Sequence, residues 1–243
     1  MKRILLTAVS LGTLTLLSPA LGADLPYAKA PSAAAAVYDW TGAYVGGFGG
    51  GGFGNHNYNN GNGPAGSANF TVNYDSTGGI GGGEVGYNWQ SGMYFTGVEA
   101  DGFWSGIKGG DASQALGVVD QTNLRWGGTL RARGGIAIDR LLLFFTGGWA
   151  FGDIQHTSTA AGFPVDQFTT HRSGLAAGGG IAYAITNNVI GKLEYRYYDF
   201  GTYSRAGNPL TPNGQLPYSV ASTYSVVTVG FDVKFGGPVV AKY

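Results

Sequence analysis

The chain has 243 residues, of which 45 are glycine, with 14% aromatic and 12% charged side chains and no cysteine. The charged share is about half that of soluble domains, the glycines lack the period of collagen, and the aromatic content argues against disorder. Fourteen basic and 14 acidic residues give a formal net charge of +0, so no basic surface for nucleic acid is indicated, and disulfides are excluded.

The N-terminus has the pattern of a secretory signal peptide. Lys2 and Arg3 precede an apolar run, Ile4–Leu17, and small residues follow. The run is shorter than the roughly 20 residues that span a bilayer, so export is predicted rather than a membrane anchor. Cleavage is predicted after Ala23, with Ala20 as the alternative. Removal of the signal leaves 12 basic and 14 acidic residues, a net charge of −2.

The signal peptide of residues 1–23 is followed by a predicted periplasmic linker and one β-domain. Residues 24–37 contain two prolines and an alanine run, which is typical of a connecting segment. In residues 38–243, segments alternate between apolar and polar side chains with a period of two, as strands with two different faces do. Eight strands are predicted: Tyr38–Gly50, Gly79–Trp89, Met93–Trp104, Asn123–Ile138, Leu141–Gly152, Arg172–Ile185, Val189–Phe200 and Ser219–Phe235.

The connections between these strands alternate between long and short. The short ones, Gln90–Gly92, Asp139–Arg140 and Thr186–Asn188, have residues that suit tight turns. Barrels of outer membranes show this asymmetry, with long loops outside and short turns toward the periplasm. We therefore predict an all-β fold, an eight-stranded antiparallel up-and-down transmembrane β-barrel with three short periplasmic turns. The four long outer loops are predicted at Gly51–Gly78, Ser105–Thr122, Asp153–His171 and Gly201–Tyr218.

Charged side chains concentrate on one face of the predicted strands. If that face met lipid, each basic residue near the midplane would cost ~2–4 kcal/mol, and the sum would rival a domain's whole stability of ~5–15 kcal/mol. In a membrane barrel the charges must therefore point into the lumen. A soluble barrel would reverse the faces, but the signal peptide, the loop asymmetry and the aromatic residues favour the membrane. The predicted interior charge network comprises Glu84, Glu99, Asp101, Arg125, Arg131, Arg133, Lys192, Glu194, Arg196, Asp232 and Lys234.

This network has six basic and five acidic members. Opposite charges in a narrow lumen should pair, because an unpaired buried charge is strongly unfavourable. An ion-selectivity filter would instead need a ring of one sign. We therefore predict a lumen plugged by paired charges. The apolar face of the last strand, Val227, Val229, Phe231, Val233 and Phe235, is predicted to meet lipid.

Several segments of the chain resemble a known protein family. They are Ala23–Pro26, Asp39–Gly47, Gly97–Asp101, Leu130–Arg133, Thr146–Gly152, Leu193–Asp199 and Val229–Phe235. In combination they are similar to the small outer-membrane β-barrel family of alphaproteobacteria, the porin-like or outer-membrane immunogenic proteins. The resemblance covers essentially the whole mature chain. It implies location in the outer membrane of a Gram-negative bacterium and a role in membrane integrity, as a surface antigen or as a weak porin.

The C-terminus departs from the usual pattern of such barrels. The resemblance implies that the insertion machinery reads a terminal aromatic residue, yet Phe235 is followed by a segment that contains Pro238. Proline makes continuation of the strand unfavourable. The predicted C-terminal insertion signal is therefore Phe235 or Tyr243.

Motifs for other chemistry are weak. Gly49–Gly54 and Gly81–Gly86 match G-x-G-x-x-G, but neither precedes a helix pattern whose N-terminus would hold a phosphate. The three histidines, His56, His156 and His171, fall in or beside predicted long loops without metal-ligand spacing.

An enzyme on this scaffold would need an oriented catalytic group at the outer rim. The residues with suitable chemistry there are Asp153, His156, His171 and Ser173. Nothing in the sequence orients them as a triad. Asp111 and Asp120 are expected to be solvated rather than to bind a cation. We therefore predict no enzymatic activity, no cofactor and no metal.

The predicted function is a structural or surface role in the outer membrane, with loops that contact the exterior. The alternative is a porin-like channel for passive diffusion of small solutes, and a soluble periplasmic barrel that carries an apolar ligand is a third hypothesis. Expected partners are outer-membrane lipid, the barrel-assembly machinery and periplasmic chaperones, without nucleic acid. The sequence does not identify a loop partner.

Overall fold

The computed structural model describes residues 37–60, 70–113, 118–160, 165–205 and 218–236. Within these ranges, no helix is long and apolar enough to cross a membrane. The predicted signal peptide, nearly all of the predicted linker, and Tyr243 lie outside the described residues, so those expectations stay predictions.

The described residues form one closed antiparallel sheet in which each strand pairs with its neighbours in sequence and the last pairs with the first. This arrangement confirms the predicted eight-stranded up-and-down barrel. The strands are β1 (Gly42–Asn60), β2 (Phe70–Ser91), β3 (Tyr94–Ser113), β4 (Val118–Ile138), β5 (Leu141–Ala160), β6 (Asp166–Ala184), β7 (Val189–Arg205) and β8 (Tyr218–Lys234).

The three short turns lie at one end of the barrel, where the sequence placed them. Gly92 has a φ of 61° and Asp139 a φ of 49°, the left-handed region that glycine and, less readily, aspartate adopt. In the third turn, the Val189 amide donates a 2.9 Å hydrogen bond to the Thr186 hydroxyl. Local turn chemistry therefore explains why these connections need so few residues.

The strands are much longer at the other end than the sequence pattern predicted. They contain 17 to 22 residues, whereas about 9–11 residues cross a bilayer. β1 continues to Asn60 and β2 begins at Phe70, so most of the predicted loop Gly51–Gly78 is paired strand. The alternation of apolar and polar residues stops there because the outer face of a strand that projects beyond lipid meets water and need not be apolar. The first three predicted loops, Gly51–Gly78, Ser105–Thr122 and Asp153–His171, were therefore too long, whereas β7 extends only to Arg205 in the fourth and β8 begins at its predicted end, Tyr218.

The part of the barrel exterior nearer the short turns is apolar and is bounded by aromatic side chains at two levels. Toward the long-loop end lie Phe53, Trp104, Trp126 and Phe151, which we call the loop-side belt. Toward the short turns, Trp89, Tyr94, Tyr183 and Phe235 are similarly exposed. Aromatic girdles of this kind mark both interfaces of a membrane barrel. The apolar face of β8 is exposed as predicted, with Phe231 59% and Phe235 56% exposed.

Candidate functional site

The lumen is the candidate site, because its side chains contain most of the buried charge of the protein. Along β7 the inward positions show how it is organised. Ile190 lies near the short turns, Lys192, Glu194 and Arg196 follow, and Tyr198 and Phe200 come next toward the loops. The lumen is therefore filled in layers, with a charged layer between two apolar ones.

The layer nearest the short turns is covered by residues 37–41, which we call the strap. Trp40 is 1% exposed, and its indole nitrogen donates a 2.9 Å hydrogen bond to the Asp139 carbonyl. The Tyr38 amide donates to the Asp139 carboxylate at 2.9 Å, and the Trp40 amide donates to the Gln90 side chain at 2.7 Å. The sequence analysis placed these residues in the first strand, but they instead cross the barrel mouth, since two short turns supply their hydrogen-bond partners.

Together with the aromatic side chains of the strap, apolar side chains from several strands fill the lumen. This short-turn layer comprises Tyr38, Trp40, Phe95, Ala137, Leu142, Phe144, Ala182, Ala184 and Ile190. Arg133 connects it to the charged layer, because its guanidinium lies 4.6 Å from the centre of the Phe144 ring. A cation over an aromatic face is a favourable contact when both groups are buried.

The charged layer contains ten of the 11 residues predicted for it, all buried in the lumen. We call these ten residues the charge network: Glu84, Glu99, Asp101, Arg131, Arg133, Lys192, Glu194, Arg196, Asp232 and Lys234. Its five acidic and five basic members give it a formal charge of zero. The remaining predicted member, Arg125, lies elsewhere.

The ion pairs of the network cross the lumen. Arg196 on β7 contacts Glu84 on β2 at 3.0 Å, and Lys192 contacts Glu99 on β3 at 3.3 Å. These strands are not neighbours in the barrel. The pairs therefore tie opposite walls together, in addition to the backbone hydrogen bonds that connect adjacent strands.

Arg131 pairs with three carboxylates of the network. It contacts Glu194 at 2.5 Å and Asp101 at 3.1 Å, and it also pairs with Glu99. Its Nη1 atom donates a 3.1 Å hydrogen bond to the Thr146 hydroxyl. Buried ion pairs are tolerated when such additional hydrogen bonds satisfy the charged groups.

Two network members, Lys234 and Asp232, lie in the lumen as predicted but take part in none of the ion pairs described here. Lys234 donates a hydrogen bond to the backbone carbonyl of Asp39, and its ammonium lies 4.7 Å from the centre of the Tyr38 ring. It therefore holds the strap. Asp232 is 3% exposed and packs against Gly46, where a Cβ would lie 1.9 Å from the Asp232 carboxylate.

Three carboxylates of the network have oxygens within 4.8 Å of one another, a spacing that could hold a metal ion: Glu84, Glu99 and Glu194. Each already pairs with Lys192, at 3.3 Å for Glu99 and 3.6 Å for Glu194. The ammonium group supplies the positive charge that a cation would bring. The geometry therefore favours an internal ion cluster over a metal centre.

Arg125 is exposed on the barrel exterior, so its assignment to the interior network was wrong. The registers of β4 with both β3 and β5 shift between Leu124 and Trp126. This β-bulge places two successive residues, Arg125 and Trp126, on the outside, and Leu124 turns inward with 0% exposure. A period-two pattern carries no sign of such an insertion, because one extra residue exchanges the two faces beyond it.

A second apolar layer closes the lumen on the loop side of the network. This loop-side layer comprises Phe48, Ile80, Phe103, Ile107, Leu124, Ala150, Ile154, Ala176, Tyr198, Phe200, Tyr224 and Val226. Arg196 joins it to the network, with its guanidinium 4.2 Å from the centre of the Phe48 ring. Four of its members, Ile107, Leu124, Ile154 and Tyr198, have no exposed surface.

Two of the histidines are buried inside the barrel, beyond the loop-side layer, and not in loops as expected. His56 forms 3.0 Å hydrogen bonds with Ser76 and Ser222, one at each ring nitrogen. His156 is bonded to the Thr122 hydroxyl at 2.9 Å. Their burial follows from the unexpected length of the strands.

The rim residues considered for catalysis do not assemble. His171 is exposed and hydrogen-bonded to Asp153 on the neighbouring strand. His156 has an inward, buried side chain, and Ser173 is exposed. The resulting histidine–carboxylate pair lacks an oriented nucleophile among these residues.

Sequence reasoning missed several neutral members of the site. The Tyr44 hydroxyl donates a 2.6 Å hydrogen bond to Glu99, and Thr129 and Thr146 donate to network residues. β1 carries no charged side chain, so charge could not show which of its faces is inside. The alternation of Tyr44 and Phe48 with glycines was the available signal.

Known proteins share this sequence pattern. The Outer membrane protein beta-barrel domain family matches residues 26–235. The 31 kDa outer-membrane immunogenic protein of Brucella melitensis is 31% identical, with 97% of this chain and 100% of that protein covered. The 22 kDa outer membrane protein of Rhizobium leguminosarum bv. viciae is 34% identical, with 66% of this chain and 64% of that protein covered.

A solved structure is also similar in outline. The outer membrane protein OprG from Pseudomonas aeruginosa aligns with a TM-score of 0.47 and 14% identity, covering 82% of this chain and 99% of that chain. The family match and the relative that is aligned over its full length establish the relationship. The chain belongs to the Outer membrane protein beta-barrel domain family and is a protein of the bacterial outer membrane.

Proposed function

We propose that this protein has a structural and surface role in the outer membrane and that its lumen does not conduct. The observation that carries the proposal is the succession of three buried layers in the lumen: the short-turn layer, the charge network and the loop-side layer. An eight-stranded barrel is just wide enough for side chains to fill it. Three stacked layers of described side chains support a lumen that is closed to solutes.

Opening such a lumen would be energetically costly. A passing ion would have to separate paired charges such as Arg131 and Glu194. A buried charge left without its partner is unfavourable by typically ~3–5 kcal/mol. The two apolar layers add constrictions that exclude water. Both effects support a closed barrel whose cross-lumen pairs contribute rigidity to the outer membrane.

The proposed surface role rests on the length of the strands. β1 continues seven residues past Phe53 in the loop-side belt, to Asn60, which is roughly 23 Å of strand at ~3.3 Å per residue. The barrel wall thus projects outside the bilayer and presents its loops to the exterior. Proposed partners are outer-membrane lipid and, during biogenesis, periplasmic chaperones and the barrel-assembly machinery, for which Phe235 is the candidate signal.

Planar-bilayer recording of the refolded mature protein tests this proposal. We expect no persistent open conductance under conditions in which a general porin conducts. A large and lasting conductance would refute the closed lumen. Heat-modifiable mobility on a gel must show that the inserted protein is folded.

The second candidate function is a channel for small solutes, and the observation in its favour is the charged lining of the middle of the lumen. In that case Arg131→Ala and Glu99→Ala should change conductance or ion selectivity in opposite directions. Conductance that both variants leave unaltered would argue against control by the network.

The proposal includes no enzymatic activity. The Asp153–His171 pair lies on the exterior, whereas His156 bonds to Thr122 inside the barrel. An activity lost in His171→Ala but kept in a His156→Gln control would contradict this part of the proposal.

A further inference from the structure

The β-bulge in β4 places a basic side chain where the barrel leaves the membrane. Arg125 is exposed beside Trp126, a member of the loop-side belt. On the adjacent strand, Lys108 is also exposed, and its register partner on β4 is Asn123. Asn123 and Arg125 both lie on the exterior face, so the two cations flank one position at the level of the outer headgroups.

Neither cation forms an ion pair with another residue in the described ranges. The ion pairs there involve the network and the Asp153–His171 pair, and none includes Lys108 or Arg125. The Asp153 carboxylate, opposite Trp126 in the register, accepts a hydrogen bond from His171. Two basic side chains at a membrane interface without acidic partners create a site for an anionic group.

A groove of about 430 Å³, with both polar and apolar lining residues, adjoins this position on the exterior of β3, β4 and β5. Its lining contains amide and hydroxyl groups in addition to the Lys108 ammonium: Gln121, Asn123, Gln155 and Thr157. The Asn123 Oδ1 atom is buried and has no hydrogen-bond partner among the described residues. A buried acceptor without a donor is unfavourable until a bound group supplies one.

We propose that Lys108, Arg125 and this groove bind the headgroup of an anionic glycolipid of the outer leaflet. The two cations would pair with its phosphate or carboxylate, for which the guanidinium offers a bidentate donor set. Sugar hydroxyls would donate to Asn123 and exchange hydrogen bonds with the glutamines. Trp104 and Trp126, just below, would contact the acyl chains.

The size of the groove favours a sugar headgroup over a small one. A simple phosphodiester would satisfy the two charges and leave most of the amide lining without partners. Position also matters, because the groove lies on the loop side of the aromatic belt and therefore faces the outer leaflet. This inference is independent of whether the lumen conducts.

Native mass spectrometry of the folded mature protein in detergent tests the inference. The probes are a synthetic phosphorylated diglucosamine glycolipid, a phosphatidylglycerol with the same acyl chains, and inorganic phosphate. We expect the glycolipid to bind most tightly, and K108Q/R125Q to weaken its binding by about tenfold or more. Asn123→Ala should weaken binding of the glycolipid but not binding of phosphatidylglycerol.

Arg140→Gln is the matched control, since it removes one positive charge at the short-turn end. It should bind the glycolipid as the unmodified protein does. Unchanged glycolipid affinity in folded K108Q/R125Q would overturn the site. Equal affinities for the glycolipid and phosphatidylglycerol, or equal affinity for inorganic phosphate, would overturn the assignment to a glycolipid headgroup.

Discussion

Arg131 and Glu194 form a 2.5 Å ion pair between β4 and β7, two strands that share no backbone hydrogen bonds. The contact spans the lumen in the middle of the charge network. Each of its partners has further ion pairs, Arg131 with Glu99 and Asp101 and Glu194 with Arg196. The walls of the barrel are thus connected by a shared cluster rather than by separate pairs.

The first prediction concerns the charge balance of this cluster. Arg131→Met removes one positive charge and leaves three buried carboxylates with fewer counter-charges, so the free energy of unfolding should fall by ~3–5 kcal/mol. Urea unfolding in detergent, followed by tryptophan fluorescence and gel mobility, measures the loss.

The double variant Arg131→Met/Glu194→Gln is the control for this prediction. It restores a formal charge of zero and should regain part of the stability lost in the single variant. If the double variant lost as much free energy of unfolding as Arg131→Met and Glu194→Gln lose together, charge balance would not be the cause.

The second prediction compares two glycines on β2. A Cβ at Gly86 would lie 2.3 Å from the Tyr44 hydroxyl and 2.7 Å from the Val98 carbonyl, whereas at Gly83 its nearest neighbour would be 3.5 Å away. Gly86→Ala should therefore destabilise the barrel by ~1–3 kcal/mol, since overpacking displaces neighbouring atoms.

Gly83→Ala points outward and should be neutral or slightly stabilising, by at most ~1 kcal/mol. The same unfolding experiment compares the two variants. Equal effects would mean that lumen crowding does not explain why glycine is needed at position 86.

The third prediction separates the strap from closure of the lumen. Trp40→Ala removes a buried indole and its hydrogen bond to Asp139, so the free energy of unfolding should decrease by ~3–5 kcal/mol. The lumen should nevertheless stay closed to ions, because the substitution leaves the charge network and the loop-side layer unchanged.

Trp149→Ala is the matched control, because Trp149 is 69% exposed on the exterior and its loss should be much smaller. Persistent channels formed by Trp40→Ala would show that the strap alone keeps the lumen closed.

The fourth prediction uses the phenol of the strap, which lies before the first strand. Burial raises the pKa of Tyr38 to about 12 from its ordinary value of 10.0. The folded state favours the neutral phenol, so the stabilisation is present below pH 10 and is lost as pH rises toward 12. In alkaline titration by ultraviolet absorbance, the difference between the unmodified protein and Tyr38→Phe should show a phenolate that forms near pH 12. A difference signal centred near pH 10 would show that the strap leaves Tyr38 exposed to water.

Much of this architecture could be predicted from local pattern, and the exceptions have identifiable causes. Ten network residues were placed inside because a lipid-facing charge is so unfavourable that it sets the parity of its whole strand. Arg125 was assigned to the wrong face because a β-bulge exchanges the two faces of a strand and leaves no signal in the sequence pattern. Tyr38 and Trp40 were predicted to lie in the first strand because aromatic residues are equally typical of a strand and of this strap.

The sequence by itself determined the number of strands, their order and, apart from Arg125, the face that the charge-bearing strands present to lipid, since these follow from period-two alternation and turn chemistry. Only the tertiary structure decided which charges meet. Arg131 and Glu194 are 63 residues apart in the chain, and no local pattern relates them until the barrel closes. Closure also decided that the lumen is filled, because the space left for side chains depends on the curvature of all eight strands together.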